Sequence, residues 1–145
     1  MVQWIETKLR YDKIMENGAV KKVTEAYLVD AISFAEAEER ITKEMESHII
    51  GSFEVKAVKK AKIAEVFPSA SGGWWYKVRA MIISIDEKTG AEKLAPHDYM
   101  VEANDIEEAI SGFKSEINLM VDYKIAGVTE TPIMDVFPVK LSNGK

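Results

Sequence analysis

Lysines and aromatic residues follow one another through the middle of the chain in a pattern typical of surfaces that bind single-stranded nucleic acid. Four of the lysines lie between positions 56 and 62. The candidate binding residues are Lys56, Lys59, Lys60, Lys62, Lys21, Lys22, Trp74, Trp75 and Tyr76. Lysine ammonium groups contact phosphates, and aromatic rings stack on unpaired bases. The cluster therefore predicts a site for single-stranded DNA or RNA.

A second interpretation gives the same residues a structural role. Lysines on an edge strand discourage pairing with another sheet, and the aromatic residues suit a buried strand. The corresponding block of the second half, residues 127–135, has no lysine and contains Glu130, so a functional patch would be asymmetric. Apolar surface at Trp74 and Trp75, or an open sheet edge, would support homodimerisation or another protein interaction instead. Both hypotheses stay open at this point.

Residues suited to catalysis or metal binding are sparse. The sequence has no cysteine, which excludes thiolate nucleophiles and sulfur-ligated metal sites. His48 lies near the end of a predicted helix, where the helix dipole favours a cation, and His97 lies in a predicted loop. No metalloprotease, nucleotide-binding or nucleophile-elbow motif is present. We therefore predict a non-enzymatic binding module without catalytic residues, metal or cofactor.

The composition is that of an ordinary globular chain. Its 145 residues suffice for one domain with a core, and 47% hydrophobic with 30% charged residues argues against disorder. A net charge of −5 disfavours a protein that binds nucleic acid by overall charge alone. The polar N-terminus is no signal peptide, and no apolar run could span a membrane. These features predict a cytoplasmic protein that does not enter a membrane.

The elements that carry the candidate residues occur twice. Asn17 and Gly18, between two β-type segments, predict a hairpin with a type I′ turn, and Gly90 predicts a second hairpin later in the chain. Ser33 begins a predicted capping box at the start of a helix. Asp105 begins another, and it follows Ser33 at the same interval at which Gly90 follows Gly18. Turn, strand and helix thus keep one register across the two halves.

The strands on either side of this repeat follow slightly different intervals. Val-Phe-Pro at 66–68 returns at 136–138, a slightly shorter step. We expect each copy to close its own half and the two phenylalanines to be buried in related positions. In the opening strands, Lys8 aligns with Lys77, a shorter step again. The alternation of the first closing strand changes phase near Val58, which predicts a bulge, and Pro132 predicts a break in the second.

The intervals predict an α+β fold made by tandem duplication of a ββαβ unit. We expect a bent antiparallel sheet with both helices packed on one side. The predicted organisation is a single domain over 1–145, with repeats at 4–68 and 74–138, a linker at 69–73 and a tail at 139–145.

Three segments resemble a family of uncharacterised bacterial and phage proteins, catalogued as a domain of unknown function. They are Trp75-Tyr76-Lys77-Val78-Arg79, Tyr99-Met100-Val101-Glu102-Ala103 leading into Asp105-Ile106-Glu107-Glu108-Ala109, and Asp135-Val136-Phe137-Pro138. The resemblance implies no known activity and no functional residues. It implies a cytoplasmic or phage-borne setting near replication functions, which favours the nucleic-acid hypothesis.

Overall fold

The computed structural model describes residues 3–117 and 120–138, which form eight strands and two helices. The strands are β1 (Gln3–Ile14), β2 (Val20–Ala31), β3 (Phe53–Lys60), β4 (Glu65–Phe67), β5 (Trp74–Ile85), β6 (Glu92–Ala103), β7 (Asp122–Glu130) and β8 (Ile133–Phe137). The helices are α1 (Phe34–Glu46) and α2 (Ile106–Glu116). The predicted α+β class is confirmed. The predicted tail, 139–145, lies outside the described residues.

The chain forms two compact units, each a four-stranded mixed sheet with one helix. Among the described residues, unit 1 contains those up to Ala61 and from Pro132 to Pro138, and unit 2 contains those between Lys62 and Thr131. The strand order is β3-β1-β2-β8 in unit 1 and β7-β5-β6-β4 in unit 2. β8 and β4 pair in parallel, and the other pairs are antiparallel. The single bent antiparallel sheet that we expected is therefore replaced by two mixed sheets.

Both sheets have the same pairing pattern, which is compatible with the predicted duplication. A bulge follows Lys8, opposite Ala57, in unit 1 and Arg79, opposite Gly127, in unit 2. Lys8 of β1 therefore corresponds to Arg79 of β5, and the predicted alignment of Lys8 with Lys77 is wrong. Strand side chains alternate with period two, so a slip of one full period leaves each side chain on the same face, and the alternation alone could not reveal it.

The predicted hairpins form, but the first has a different turn. Gly18 and Gly90 have φ of 85° and 74°, and no described non-glycine residue has positive φ. Asn17 is therefore not left-handed, and a type I′ turn is wrong. The Gly18 amide donates to the Met15 carbonyl at 2.9 Å, and the Met15 amide donates to the Ala19 carbonyl at 2.8 Å. Loops longer than two residues need only one left-handed residue, which glycine supplies.

Each helix begins with the predicted capping residue and packs against its own sheet. The Ser33 hydroxyl accepts the Glu36 amide at 3.1 Å, and the Asp105 carboxylate accepts the Glu108 amide at 2.8 Å. The two helices bury Ala37, Ile41 and Met45 in unit 1 and Ala109 and Phe113 in unit 2. These side chains and the facing strands form one hydrophobic core in each unit.

The closing strands are exchanged between the two sequence repeats. β4 belongs to the first repeat by sequence but pairs with β6 in unit 2. β8 belongs to the second repeat but pairs with β2 in unit 1. The expectation that each Val-Phe-Pro segment closes its own half is therefore wrong, although the recurrence of the segment in the sequence is unaffected.

Short connections explain the exchange. Only Thr131 and Pro132 separate β7 from β8, and two residues reach about 7 Å. To close its own sheet, β8 would have to return along β7, about 30 Å, and cross three strand spacings, about 14 Å. The short segment 61–64 between β3 and β4 faces the same difficulty. Pro132 lies in the connection between two strands, which confirms the predicted break.

Phe67 and Phe137 occupy corresponding positions, as predicted. Phe67 stacks on Tyr99 and Phe137 on Tyr27, with ring centroids 5.7 Å apart in both pairs. Phe67 is buried and Phe137 is partly buried, each in the core of the unit that its strand completes. The shared motif therefore anchors each closing strand on a tyrosine of the other repeat.

Candidate functional site

The sheet of unit 1 presents its basic residues on more than one side. Ile5 and Leu9 of β1 face α1, so the even-numbered residues of β1 point to the opposite side, which we term the helix-free face. Lys8 and Arg10 lie on this face. Lys22, opposite Asp12, and Lys59, opposite Glu6, lie on it as well. Two of the predicted lysines thus share one face with two basic residues of β1.

The other predicted lysines of unit 1 point elsewhere. Lys60 lies opposite Ile5 at the end of β3, and Lys21 lies opposite Lys13 at the hairpin end, so both are on the side of α1. Lys56 is the extra residue of the bulge, which confirms the phase change predicted near Val58. Its ammonium is 3.8 Å from the Glu54 carboxylate, and both side chains are well exposed. A pair so exposed contributes little to stability.

Charge is segregated between the layers of unit 1. The strands β1, β2 and β3 carry eight Lys or Arg residues and five Asp or Glu residues. Helix α1 carries five Glu residues against two basic residues. In unit 2, the strands β5, β6 and β7 carry four basic and five acidic residues. The strands β1, β2 and β3 of unit 1 therefore carry an excess of basic residues, many of them exposed, although the whole chain is acidic.

The position of Lys8 on the helix-free face has different neighbours in the two units. Arg79 in unit 2, which corresponds to Lys8, donates two hydrogen bonds to Asp98, at 2.9 and 3.1 Å. These hydrogen bonds hold the pKa of the Asp98 carboxyl below its usual value. Lys8 lies opposite Ala26 instead. Asp98 therefore neutralises the arginine of unit 2, whereas β2 places an apolar methyl group opposite Lys8.

A shallow cavity of about 410 Å³ opens on the helix-free face near the hairpin end of unit 1. The basic side chains of Arg10 and Lys22 and the acidic side chains of Asp12 and Glu54 line it. Farther along β2, Leu28 on the same face is buried. The exposed part of this face is thus its hairpin end and the edge strand β3.

The predicted aromatic residues lie in unit 2 and are mostly inaccessible. Trp75 is 4% and Tyr76 5% exposed, and Tyr76 belongs to the core of unit 2. Rings buried in this way cannot stack on bases, so the structural interpretation holds for both. Trp74 is 62% exposed. Lys62 is also exposed and also lies in unit 2, so the predicted set is divided between the units.

Trp4 is an aromatic residue of unit 1 that the sequence reasoning did not select. It precedes Ile5 on β1, so it lies on the helix-free face, opposite Asp30, and is partly buried. The alternation of Ile5 and Leu9 with polar residues was the signal that could have placed it there. Lys8 and Arg10 could have been placed on that face by the same parity.

A polar cluster lies on the other side of this sheet. The hydroxyl groups of Tyr11 and Tyr27 donate to one carboxylate oxygen of Glu25, at 2.9 and 3.0 Å. The Lys13 ammonium is 3.9 Å from the other oxygen. Burial, with Glu25 alongside, raises the pKa of Tyr11 to about 12 and also raises the pKa of Tyr27. The cluster explains how an acidic residue is accommodated next to the core residue Tyr27.

Within residues 3–117 and 120–138, no group of three or more His, Asp or Glu side chains could hold a metal ion. His48 and His97 are exposed. The His48 ring nitrogen Nδ1 is 2.9 Å from the Glu44 carbonyl, one turn earlier at the end of α1. Both histidines are therefore at the surface, but His97 lies within strand β6, opposite Ala80, so its predicted place in a loop is wrong.

A family model for a domain of unknown function matches residues 3–139, which includes both repeats. The chain belongs to the DUF4494 family. No curated protein and no solved structure matches the chain. The resemblance to an uncharacterised family is thus confirmed, while a bacterial, phage or cytoplasmic setting for this DUF4494 domain stays a prediction. Neither helix in the described parts of the chain is long and apolar enough to cross a membrane.

Proposed function

We propose that this DUF4494 domain is a non-enzymatic binding module that holds single-stranded nucleic acid on the sheet of unit 1. The observation that carries the proposal is the segregation of charge, which puts eight basic residues on β1, β2 and β3 of an acidic protein. Phosphate contacts supply most of the affinity in binding that is independent of sequence. A basic sheet with an exposed edge can follow the backbone of a flexible single strand.

The proposed surface runs from the hairpin end of the helix-free face to the outer strand and around its edge, because Lys60 is on the side of α1. Arg10 and Lys22 line the cavity at one side, and Lys59 and Lys60 lie on the edge strand β3. Trp4 is on the same face but lies at the end away from the hairpin and is partly buried, so the proposal depends on the basic residues. Duplex DNA is a poorer ligand, because the acidic residues interspersed on this face would meet its denser array of phosphates.

Fluorescence anisotropy with labelled short single-stranded DNA and RNA, at low and moderate salt, tests the proposal. We expect dissociation constants of tens of micromolar or tighter, with affinity falling as salt rises. The variant Lys59→Glu with Lys60→Glu should weaken binding at least about tenfold. Lys43→Glu with Lys114→Glu is the matched control, because it changes the net charge equally but on the two helices. Wild-type affinity in the β3 variant would reject this surface.

A protein-interaction module is the second candidate, and the tip of the first hairpin favours it. Ile14 and Val20 lie directly opposite each other and are 67% and 64% exposed. Met15 beside them is also exposed. Exposed apolar residues grouped in this way are typical of contact surfaces, including those of homodimers. Light scattering tests self-association: a mass that doubles with concentration and reverts in Ile14→Ser with Val20→Ser supports it, and a strict monomer argues against it.

A further inference from the structure

Unit 2 has a groove at a position that corresponds, in unit 1, to the position of an arginine side chain. The groove is about 480 Å³ in volume and runs along α2 beside the ends of β4 and β6. We term it the α2 groove. Its polar lining comes mainly from Ser69, Glu102, Glu108, Ser111, Ser115 and Glu116, and Phe67, Pro68, Val101 and Gly112 complete it.

The repeat identifies the residue of unit 1 that corresponds to Gly112. The interval between the capping residues Ser33 and Asp105 is also the interval between the buried core residues Ile41 and Phe113. Gly112 immediately precedes Phe113, so it corresponds to Arg40 of α1, which immediately precedes Ile41. One repeat therefore has a guanidinium group at the position where the other has no side chain.

Arg40 shows what the position binds in unit 1. Its Nη1 donates to the carbonyl oxygen of Asp30, and its Nη2 donates to the carbonyl oxygen of Pro138 at 3.0 Å. A guanidinium group thus joins the end of β2 to the end of the closing strand β8. In unit 2 the corresponding residues are Glu102 and Pro68, and both line the α2 groove.

The surroundings of the α2 groove are also more negative than the corresponding surroundings of α1. Arg40 and Lys43, the basic residues of α1, are replaced in α2 by Gly112 and Ser115. The acidic residues Asp30, Glu36 and Glu44 are retained as Glu102, Glu108 and Glu116. The α2 groove therefore keeps three carboxylates and has lost both cations. It is complementary to a ligand with positive charge.

The backbone does not require glycine at position 112. Gly112 is not among the residues with positive φ, and a Cβ there would lie 3.6 Å from Val101 Cγ1, an ordinary contact. Glycine within a helix lowers helix stability relative to other residues. The consequence of Gly112 that the structure shows is the open space of the groove.

We propose that the α2 groove binds the guanidinium group of an arginine side chain on a partner polypeptide. The guanidinium would take the place that Arg40 has in unit 1, with planar donors directed at the carbonyl groups of Glu102 and Pro68 and the carboxylates around them. A peptide is favoured over free arginine, because the carboxylate of the free amino acid would meet Glu102, Glu108 and Glu116 at the rim. The site is in unit 2, so it is independent of the nucleic-acid surface proposed for unit 1.

Titration of the full chain with N-acetyl-arginine amide, followed by amide NMR shifts, tests the proposal. We expect saturable shifts at Ser69, Glu102 and Gly112, at ligand concentrations up to about 20 mM. N-acetyl-citrulline amide has nearly the same shape without the charge and should leave these amides unmoved. A titration with free arginine distinguishes a peptide ligand from a small-molecule ligand. If free arginine binds more tightly than the amide, the groove binds a small molecule and the proposal of a peptide partner is wrong.

Two variants at one position separate guanidinium recognition from a general change in α2. Gly112→Arg should fill the groove with the protein's own guanidinium and abolish the shifts at Ser69 and Glu102. Gly112→Ala also improves the helix but leaves most of the space open, so it should retain binding within about threefold. Equal binding of arginine and citrulline amides, no saturable shift, or equal loss in both variants would each overturn the proposal. Thermal unfolding checks that both variants fold.

Discussion

The surroundings of Glu25 lead us to expect that the stability of the protein depends on pH. Val23 and Tyr27, its neighbours on the same face of β2, are apolar or aromatic, and Glu25 is tolerated there because Tyr11 and Tyr27 donate hydrogen bonds to it. His97 stands at the corresponding place in the second repeat and is exposed. The cluster is therefore specific to unit 1. In that unit it favours the protonated form of both phenols in the folded state.

We expect the protein to lose stability in alkali because of these phenols. A tyrosine whose folded pKa lies above its unfolded value of about 10 stabilises the fold fully below about pH 10, and this contribution is lost as pH rises through the folded pKa. With the pKa of Tyr11 raised to about 12, the free energy of unfolding should fall from about pH 10 upwards. Urea unfolding at a series of pH values measures it. Tyr11→Phe with Tyr27→Phe should flatten the fall, and Tyr123→Phe, in unit 2, should not.

At the scale of elements, the exchanged closing strands decide which unit a substitution weakens. Phe67 is 6% exposed and packs against Tyr99 and Phe113 of unit 2, although its strand belongs to the first repeat by sequence. Replacing a buried Phe with Ala typically costs about 3–5 kcal/mol. Phe137 is partly buried, so Phe137→Ala should cost less.

Phe67→Ala should therefore destabilise the unit into which Phe67 packs. Native-state hydrogen exchange should become faster in β5, β6 and α2, while β1, β2 and α1 stay close to wild type. Phe137→Ala is the matched variant, and it should accelerate exchange in unit 1 instead. The opposite assignment, with Phe67→Ala loosening β1 and β2, would mean that each repeat closes its own sheet.

The elements also show how far the sequence alone could predict the fold. The helix caps, the hairpins, the bulge and the strand break each depend on a few neighbouring residues. Local sequence therefore predicted them correctly, as at Ser33 and Asp105 for the caps, Gly18 for the first hairpin and Pro132 for the break. The exchange of β4 and β8 depends on the lengths of two connections, which pattern and repeat intervals do not include. Parity could have sorted Lys22 from Lys21, whereas sorting Lys59 from Lys60 also required the bulge to be placed at Lys56. The groove beside Gly112 required a comparison of both repeats in three dimensions.

At the scale of the whole molecule, the two units carry different surfaces. In unit 1 the sheet gathers basic residues, whereas in unit 2 the corresponding arginine is held by Asp98 and α2 has lost the cations of α1. The two sheets share one pairing pattern, so the two members of a corresponding pair of positions can differ in charge without a change in topology. The net charge of −5 conceals this division of charge between the two units.

The salt dependence of nucleic-acid binding tests most directly whether the basic residues of unit 1 form the binding surface. For single strands, the logarithm of the affinity falls with the logarithm of salt concentration by about 0.7 for each phosphate neutralised. Arg10→Gln with Lys22→Gln should thus reduce this slope by about 1.4, and Lys59→Gln with Lys60→Gln should reduce it similarly, if both ends of the surface touch the strand. Lys43→Gln with Lys114→Gln, on the helices, should leave it unchanged. Equal slopes in all three variants would mean that the strand lies elsewhere, since removing cations from a surface in contact must release fewer counterions.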